Sequence, residues 1–348
     1  MRRYVYVFVI VVIVALQSCR EDLYSPPEFP LEKESGFELL SDVLYFNTVN
    51  DMWEYGDYLL VCAYDRKNNR FFHVYDKRTG AYIDSYVSRG RGPGEIFFGH
   101  MNTSFNGGVI SFFDVMSGSV VDVSVDSMAS GRVNMEEKVL QMSSGTFYVG
   151  KVKDGYVCVM SKNPYQESVP GESRFELRDE AFNIVDKSDF APALTPEQMF
   201  VMYVHSSYAV SPDMTRFCIA SEQGAILEIY TVDSAIRNNV VKYFYEPDFD
   251  VLYGTYDFNE RTVLGFSDVF ATNDRLFTVY DGEVNPFRNG GDRQMFTRIA
   301  VFDWDGNPLE LIHTDYSIDK IAYSEAENTI YAAVADSDRI MYLAKMEL

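Results

Sequence analysis

The stretch Ser88–Ile96, SRGRGPGEI, is the first segment of the chain whose residue types suggest chemistry. Basic, glycine-rich loops can bind phosphate through backbone N–H groups. The glycines at 90, 92 and 94 fit neither the dinucleotide fingerprint G-x-G-x-x-G nor a P-loop, which ends in Gly-Lys-Ser/Thr. Pro93 lacks an amide N–H, and Glu95 places a negative charge beside any phosphate. The stretch is therefore predicted to connect two repeats, with Arg89 and Arg91 pointing to a ligand face.

The other residue patterns that could bind a metal are also better explained by structural roles. Asp303–Asn307, DWDGN, resembles the start of a calcium loop, but position twelve is Thr314 rather than Glu, so a tight hairpin turn is predicted. The four histidines are scattered, and none has a helical partner four residues away for metal binding. His73 and His313 are expected on outer strands, whereas His100 and His205 precede inner strands and are candidates for a ligand face. We predict no metal or other cofactor.

No nucleophilic site is apparent in the sequence. Cys62, Cys158 and Cys218 lie in apolar runs and are predicted to be small buried side chains, although a Cys158–Cys218 bridge stays open. The sequence has no G-x-S-x-G elbow and no sialidase box. No catalytic residue is therefore assigned, and an enzyme is the less favoured alternative.

The N-terminus has the pattern of a bacterial lipoprotein signal. Arg2 and Arg3 precede the apolar run 4–16, which is too short for a membrane span, and LQSC at 16–19 resembles a lipobox. We predict a signal peptide at 1–18, lipidation of Cys19 and a flexible, proline-containing tether at 19–36. Arg20, rather than Asp, follows Cys19, which is consistent with an outer-membrane destination. The protein is then expected on either the periplasmic face or the surface face of that membrane.

The charge of the mature chain excludes one class of partner. Residues 1–18 carry two arginines and no acid, so their removal takes the net charge from −22 to −24. So acidic a protein is repelled by nucleic acids, and no nucleic-acid partner is expected.

Six repeats of roughly 50 residues fill positions 37–348. Short apolar runs, each after a polar turn, lie at 59–66, 109–116, 156–163, 217–224, 276–283 and 330–337. Each is followed by a second β-like run and, in five repeats, by a third. A further run, such as SSYAVS, precedes the polar turn and is expected to form the inner strand, which completes a four-stranded unit. This pattern predicts an all-β fold, a six-bladed β-propeller of four-stranded blades, without a helix of ordinary length. The sixth repeat lacks an outer strand, and residues 37–46 are expected to supply it and close the ring. A pair of β-sandwiches is the alternative fold.

Three motifs carry a family resemblance. Ser211–Phe217, SPDMTRF, resembles the SPDG-type hairpin of TolB-like propellers, with Met214 where glycine is usual. The GRGPGE segment at 90–95 and the C-terminal stretch from AVFDWDGNPLE to YLAKMEL resemble six-bladed lipoproteins of the Bacteroides group. The resemblance implies fold and envelope location, but no reaction and no catalytic residues.

Long loops are the predicted binding surface, because function concentrates on loops held by a rigid scaffold. Three long segments, 188–204, 246–265 and 281–297, should lie on one face of the propeller. Aromatic and arginine side chains there are typical recognition residues. They are Tyr253, Tyr256, Arg261, Arg288 and Arg293, with Phe287 beside them.

The sequence as a whole predicts an envelope-anchored, non-catalytic binding or scaffolding propeller for a protein partner or a glycan. The alternative function is a hydrolase or lyase that acts on glycans at the propeller channel.

Overall fold

The structure is a computed structural model that describes residues 23–348 except 42, 47, 91, 93–94, 97–100, 115–117, 130–134, 140–142, 144, 161–172, 253–254 and 287–292. Over this part of the chain, six mainly antiparallel sheets are arranged as the blades of a propeller, and one further hairpin follows the fourth of them along the chain. The predicted six-bladed all-β fold is confirmed.

Blades 1 to 3 follow the chain order. Blade 1 consists of β3 (Asp51–Tyr55), β4 (Tyr58–Asp65), β5 (Arg70–Asp76), β6 (Tyr82–Arg89) and the short β7 (Glu95–Ile96), which is parallel to β6. Blade 2 consists of β8 (Met101–Asn106), β9 (Val109–Asp114), β10 (Ser119–Ser124) and β11 (Met135–Val139), with the short helix α1 (Val125–Ala129) after β10. Blade 3 consists of β12 (Thr146–Val152), β13 (Gly155–Met160), β14 (Phe175–Arg178) and β15 (Ile184–Ser188).

Blades 4 to 6 complete the ring. Helix α2 (Pro196–Val204) precedes blade 4, which consists of β16 (Ser206–Val210), β17 (Arg216–Ser221), β18 (Ile226–Val232) and β19 (Ile236–Tyr243). The hairpin β20 (Asp250–Leu252) and β21 (Thr255–Asp257) follows. Blade 5 consists of β22 (Phe266–Ala271), β23 (Arg275–Tyr280), β24 (Arg298–Asp303) and β25 (Pro308–His313), with β1 (Glu32–Glu34) on its outer edge. Blade 6 consists of β26 (Ser317–Ser324), β27 (Thr329–Ala335), β28 (Met341–Glu347) and β2 (Glu38–Leu39).

The N-terminal strand closes the ring as predicted. β2 pairs antiparallel with β28, and an isolated bridge joins Leu44 to Met341. A buried cluster that includes Leu44, Phe46 and Val49 then packs between blades 6 and 1. Closure therefore covers the edge of β28, which would otherwise be open to pairing with another chain.

Aromatic side chains pack between neighbouring blades. The ring of Phe72 on blade 1 lies 4.7 Å from that of Phe112 on blade 2, and Phe277 on blade 5 lies 4.6 Å from Tyr323 on blade 6. Because each blade has a neighbour on both faces, its central strands are buried throughout, as β13 is. This two-sided burial explains why the apolar run of each repeat, which forms the second strand of its blade, has so few polar residues.

The flexible tether predicted at 19–36 is wrong for residues 23–35. Ser25 N donates to Tyr243 O at 2.9 Å, and the Phe29 ring packs 5.7 Å from that of Phe302 in the core between blades 4 and 5. β1 then pairs in parallel with β25. Residues 23–35, here called the N-terminal strap, are thus held by the propeller, because backbone pairing and the aromatic contacts of Tyr24 and Phe29 offset their polar, proline-containing composition.

Helix α2 is the second departure from the sequence prediction. Thr195 caps it, since its Oγ1 accepts from Gln198 N at 3.2 Å and the Gln198 Oε1 accepts from Thr195 N at 3.0 Å. This reciprocal capping box, with Pro196 in the first turn, starts a helix that hydrophobic periodicity alone does not reveal. Within the described residues, no helix combines the length and apolar character needed to cross a bilayer.

The structural roles predicted for the cysteines, as small buried side chains, and for the DWDGN stretch, as a hairpin turn, are confirmed. Cys62, Cys158 and Cys218 are free and buried, and burial raises the pKa of Cys158 and of Cys218 to about 12. The carboxylate of Asp303 accepts from the backbone of Asp305 at 2.9 Å and of Asn307 at 2.8 Å, which closes the turn between β24 and β25.

Candidate functional site

The three long segments meet on one face of blades 3 to 5, as predicted. Leu264 N donates to Glu283 O, and Asn285 N donates to Thr262 O, both at 2.9 Å, so segments 246–265 and 281–297 are joined through their backbones. Gln198 on α2 donates from Nε2 to Pro247 O at 3.0 Å and ties the segment 188–204 to the same surface. We call the surface formed by these three segments the loop face.

His205 and Arg261 lie on this face. The Nδ1 atom of His205 is 3.3 Å from Glu222 Oε2, and its ring lies 6.5 Å from that of Phe258. Arg261 donates from Nε to Asp248 Oδ2 at 2.7 Å while its side chain stays 63% exposed. The hydrogen bond and the charge of Arg261, together with a hydrogen bond from Asn259, lower the pKa of Asp248, and Arg261 and Asp248 form a solvent-facing ion pair.

Arg293 is used inside the loop face. Its Nη2 donates to Asp281 Oδ1 at 2.6 Å and its Nη1 donates to Asp281 Oδ2 at 2.9 Å. Asp281 is only 1% exposed and also accepts from Phe296 N at 2.8 Å. Arg293 and Phe296 both bond Asp281, so the described residues at the two ends of segment 281–297 are held together.

Arg89 lies apart from this group, on blade 1, where its guanidinium stands 5.5 Å from the ring centre of Tyr64. Several predicted site residues lie outside the described part of the chain: Cys19, Arg91, His100, Tyr253, Phe287 and Arg288. For Tyr256 the structure describes the backbone, which belongs to β21.

The glycine-rich stretch is a connector from blade 1, as predicted. Gly90 N donates to Ile96 O at 3.1 Å, and Gly92 N donates to Glu95 Oε2 at 2.8 Å. The carboxylate of Glu95 thus takes the backbone N–H that a phosphate would need. This contact gives a structural reason for rejecting a phosphate loop.

A second candidate site lies in the central channel, which the first strands of all six blades border. The channel holds a cavity of about 300 Å³. Asp51, Thr103 and Asp268 lie at its inner end, and Gly107 and Met214 belong to hairpin turns at its mouth. These turns join first to second strands, so the mouth opens on the face opposite the loop face. We call this space the channel cavity.

The inner end of the channel cavity carries a small charge network. Lys320 Nζ donates to Asp268 Oδ1 at 2.8 Å, and Asp268 Oδ2 accepts from Ile321 N at 3.0 Å. Asp51 accepts from Met52 N at 2.9 Å and from the Thr103 hydroxyl. Burial, together with the charge of Asp268, raises the pKa of Asp51 to about 6, although Lys320 acts in the opposite direction.

Aromatic rings form much of the remaining wall. Tyr148 and Tyr208 are stacked with ring centres 4.3 Å apart, and Trp53 lies 6.0 Å from Phe105. At the mouth, Asn106 of blade 2 donates to the Sδ atom of Met214 of blade 4 at 2.9 Å. Met214 has a left-handed backbone, with φ of +57°, which a glycine would adopt without strain.

Sequence reasoning missed the channel residues, because nothing local marks Asp51 or Asp268 among many acidic side chains. The only available signal was their position on a first strand, just before the polar turn of a repeat. Among the described residues, no group of three or more His, Cys, Asp and Glu side chains could hold a metal ion.

Comparison with known proteins places this geometry in context. Residues 29–326 match the family described as TolB-like 6-blade propeller-like. A protein of Bacteroides fragilis described as exported is 14% identical with a TM-score of 0.53, over 91% of this chain and 98% of that one. A DUF4221 family member from Bacteroides vulgatus is 11% identical with a TM-score of 0.53, over 90% and 96%.

An enzyme is also among the similar structures. A luciferin-regenerating enzyme is 11% identical with a TM-score of 0.50, over 90% of this chain and 95% of that one. Likeness at such identities concerns the fold alone. No curated protein matches the sequence.

Proposed function

The chain belongs to the TolB-like six-bladed propeller family, and from this premise we propose that it is a lipid-anchored binding propeller of the bacterial envelope. Its loop face binds a protein partner, and it catalyses no reaction of its own there. The observation that carries the proposal is the loop face itself, where three long segments from blades 3 to 5 are bonded into one surface.

Preorganisation supports a binding role. The base of the segment 246–265 is fixed because Thr262 donates to Asp248 O at 2.6 Å and Asn259 donates to Asp248 Oδ1 at 2.8 Å. A surface that is ordered before it meets its partner loses less conformational entropy on binding. Long loops whose only role was to cover the end of the propeller channel would not need such internal hydrogen bonding.

The chemistry of the face favours a protein over a glycan. Arg261 with Asp248 places charges of both signs at fixed positions on the surface, and Glu222 beside His205 adds a further carboxylate. Paired, oriented charges give specificity and orientation in protein–protein contacts. A glycan would instead call for exposed ring faces; of the aromatic side chains that the structure describes in segment 246–265, Phe258 packs near His205.

The N-terminal strap supports an envelope location close to a membrane. The B. fragilis relative in fold is described as an exported protein, and this chain carries its own lipobox-like LQSC. Ser25 lies six residues after Cys19, and six extended residues reach at most about 21 Å. A lipid on Cys19 therefore holds the rim of blade 4, where Ser25 bonds Tyr243, within that distance of the bilayer surface.

Tyr243 also touches the loop face, since its hydroxyl accepts from Ala193 N at 2.6 Å. The loop face is consequently near the membrane in the anchored protein. A partner in the same membrane is the one most readily reached, and we propose the outer membrane as its place.

Replacement of Cys19 tests the anchor. Cys19→Ala should move the mature protein from the membrane fraction to the soluble fraction, because the acyl chains that hold it are absent. Envelope fractionation with immunodetection measures this change, with Cys62→Ala, a buried position, as the matched control. Soluble wild-type protein, or a membrane-bound Cys19→Ala variant, would contradict the proposed anchor.

A charge reversal tests the loop face. Arg261→Glu should reduce partner cross-linking at least about tenfold, because a charged contact becomes repulsive. A photoreactive residue at position 260 in envelope vesicles reports the cross-link, and replacement of 250–257 by two glycines should abolish it.

Arg237 on β19 is the matched control, because its side chain is likewise 63% exposed and paired with an aspartate, Asp233, at 3.5 Å. Arg237→Glu should leave the cross-link unchanged. Equal loss in both variants, or loss in neither, would exclude the loop face as the binding surface.

A further inference from the structure

The channel cavity is a second site, separate from the loop face, and its charge balance is unusual. Near its inner end are three carboxylates, those of Asp51, Asp268 and Asp319, and one ammonium group, that of Lys320. Lys320 is bonded to Asp268 at 2.8 Å, while Asp319 accepts from Val49 N at 2.7 Å. Among the described residues, Asp51 makes no salt bridge of its own, so the network carries excess negative charge.

The bonds that Asp51 does make leave room for a ligand. It accepts one bond on each oxygen, from Met52 N and from the Thr103 hydroxyl, and a carboxylate has about four acceptor positions. Asp51 lines the cavity rather than being sealed behind it. A hydrogen-bond donor on a ligand in the cavity can therefore reach the carboxylate of Asp51, which Met52 N and the Thr103 hydroxyl hold in place.

The walls of the cavity suit a cation, because Lys151, the basic side chain among the described lining residues, is neutralised by Glu180 at 2.8 Å. Trp53, Phe105, Tyr148, Tyr208 and Phe270 all line it. Aromatic faces attract ammonium groups and also accept the apolar part of an organic ligand. The net charge of −22 on the chain further concentrates cations at the mouth.

The volume limits the ligand to a small molecule. About 300 Å³ is at the lower end of the range for ligand pockets. The mouth is also narrowed where Asn106 meets Met214. A polymer segment does not fit this shape as well as a compact molecule does.

From the cavity, its aromatic walls and the acceptor at its inner end, we infer that the channel cavity binds a small organic cation. The ligand carries a primary ammonium group, which donates to Asp51, and a compact apolar body, which packs between the aromatic rings. This inference does not rest on the loop face or on the lipid anchor.

Benzylamine is a suitable probe, with benzyl alcohol as the neutral analogue of similar shape and benzoate as the anion. Calorimetric titration of the mature protein at neutral pH should show saturable millimolar or tighter binding of benzylamine, and affinity at least about tenfold weaker for the other two. Asp51→Asn should weaken benzylamine binding at least about tenfold, because the charge at the acceptor is lost.

Glu54→Gln is the matched control, because Glu54 lies on the same strand but bonds Lys77 outside the cavity. It should bind benzylamine as the wild type does. Equal binding of benzylamine and benzyl alcohol, unchanged binding by a folded Asp51→Asn variant, or no saturable benzylamine binding would each overturn the inference. Tighter binding of methyl glucoside than of benzylamine would overturn it in favour of a glycan site.

The affinity should also fall as the pH drops below about 6, since Asp51 becomes protonated there. The titratable and charged groups that face Asp51 from the neighbouring strands are Cys62, Tyr148, Asp268 and Lys320, and Asp319 in turn faces Asp268 and Lys320. Benzylamine remains charged throughout this range, so a flat affinity between about pH 5 and about pH 7.5 would argue against Asp51 as the acceptor.

Discussion

Replacing Glu228 with alanine is expected to lower the free energy of unfolding by about 3–5 kcal/mol. Glu228 is 1% exposed and accepts from Arg174 Nη2 at 2.7 and 2.9 Å, within the core between blades 3 and 4. Its removal leaves the guanidinium of Arg174 buried without its carboxylate. Urea unfolding followed by tryptophan fluorescence measures the loss.

Two comparisons show whether burial causes this effect. Glu180→Ala removes the partner of Lys151 from a pair of the same kind, 2.8 Å long, in which Glu180 is 59% exposed. That loss should be about 1 kcal/mol or less. The double replacement Arg174→Met with Glu228→Leu should recover most of the stability that the single variant loses. A single variant no less stable than Glu180→Ala would contradict the assigned role.

Glu228 also shows what the sequence could predict and what it could not. The run AILEIYT at 225–231 predicted a strand correctly, as β18. Alternation within such a run suggests that a charged side chain points to solvent. In a propeller both faces of the strand are covered, so Glu228 lies against Arg174 of the neighbouring blade instead. The strand follows from local pattern, whereas the ion pair depends on which blade lies beside it.

The same distinction separates ring closure from the N-terminal strap. A sixth repeat without an outer strand predicted that 37–46 would complete it, and β2 does so. Residues 23–35 have the composition of a tether, yet Phe29 enters the core between blades 4 and 5. Two aromatic side chains, Tyr24 and Phe29, and the three paired residues of β1 are too little signal to outweigh composition in a sequence argument.

The loop face could be predicted as a place, but the roles of its residues could not. Segment lengths and propeller connectivity placed three segments on one face. The buried carboxylate that holds Arg293, Asp281, looks in sequence like any acidic residue after a strand. Long-range pairing therefore decides which arginine is available to a partner, and it leaves Arg261 the more exposed of the two.

Replacing Asp51 with asparagine is expected to stabilise the protein by up to about 3 kcal/mol at neutral pH. Its pKa in the folded protein is raised from 3.8 to about 6. The folded state therefore binds the proton more tightly than the unfolded state, and the contribution of Asp51 to stability is lost as the pH rises through about 6. Asparagine, like the protonated acid, avoids that loss and can still accept from Met52 N.

The pH dependence of the difference is the decisive measurement. The gain from Asp51→Asn should be full at about pH 7.5, should shrink as the pH falls through about 6, and should vanish well below 3.8, where the wild-type carboxyl is protonated in both states. Asp268→Asn is the control of opposite sign, because it removes the carboxylate bonded to Lys320 and should destabilise. A destabilised Asp51→Asn variant at neutral pH would show that the charge of Asp51 is already compensated within the channel network, without a ligand.

A stabilised Asp51→Asn variant would have a further meaning for the channel cavity. It would show that the ionised carboxylate is held where it weakens the fold, beside the like charge of Asp268. Strain of this kind is typical of binding sites, since a group that is poorly compensated in the free protein interacts strongly with an incoming ligand. If the same variant also loses benzylamine affinity, the negative charge of Asp51 would weaken the fold while it strengthens ligand binding. A purely structural role for Asp51 would not account for both results.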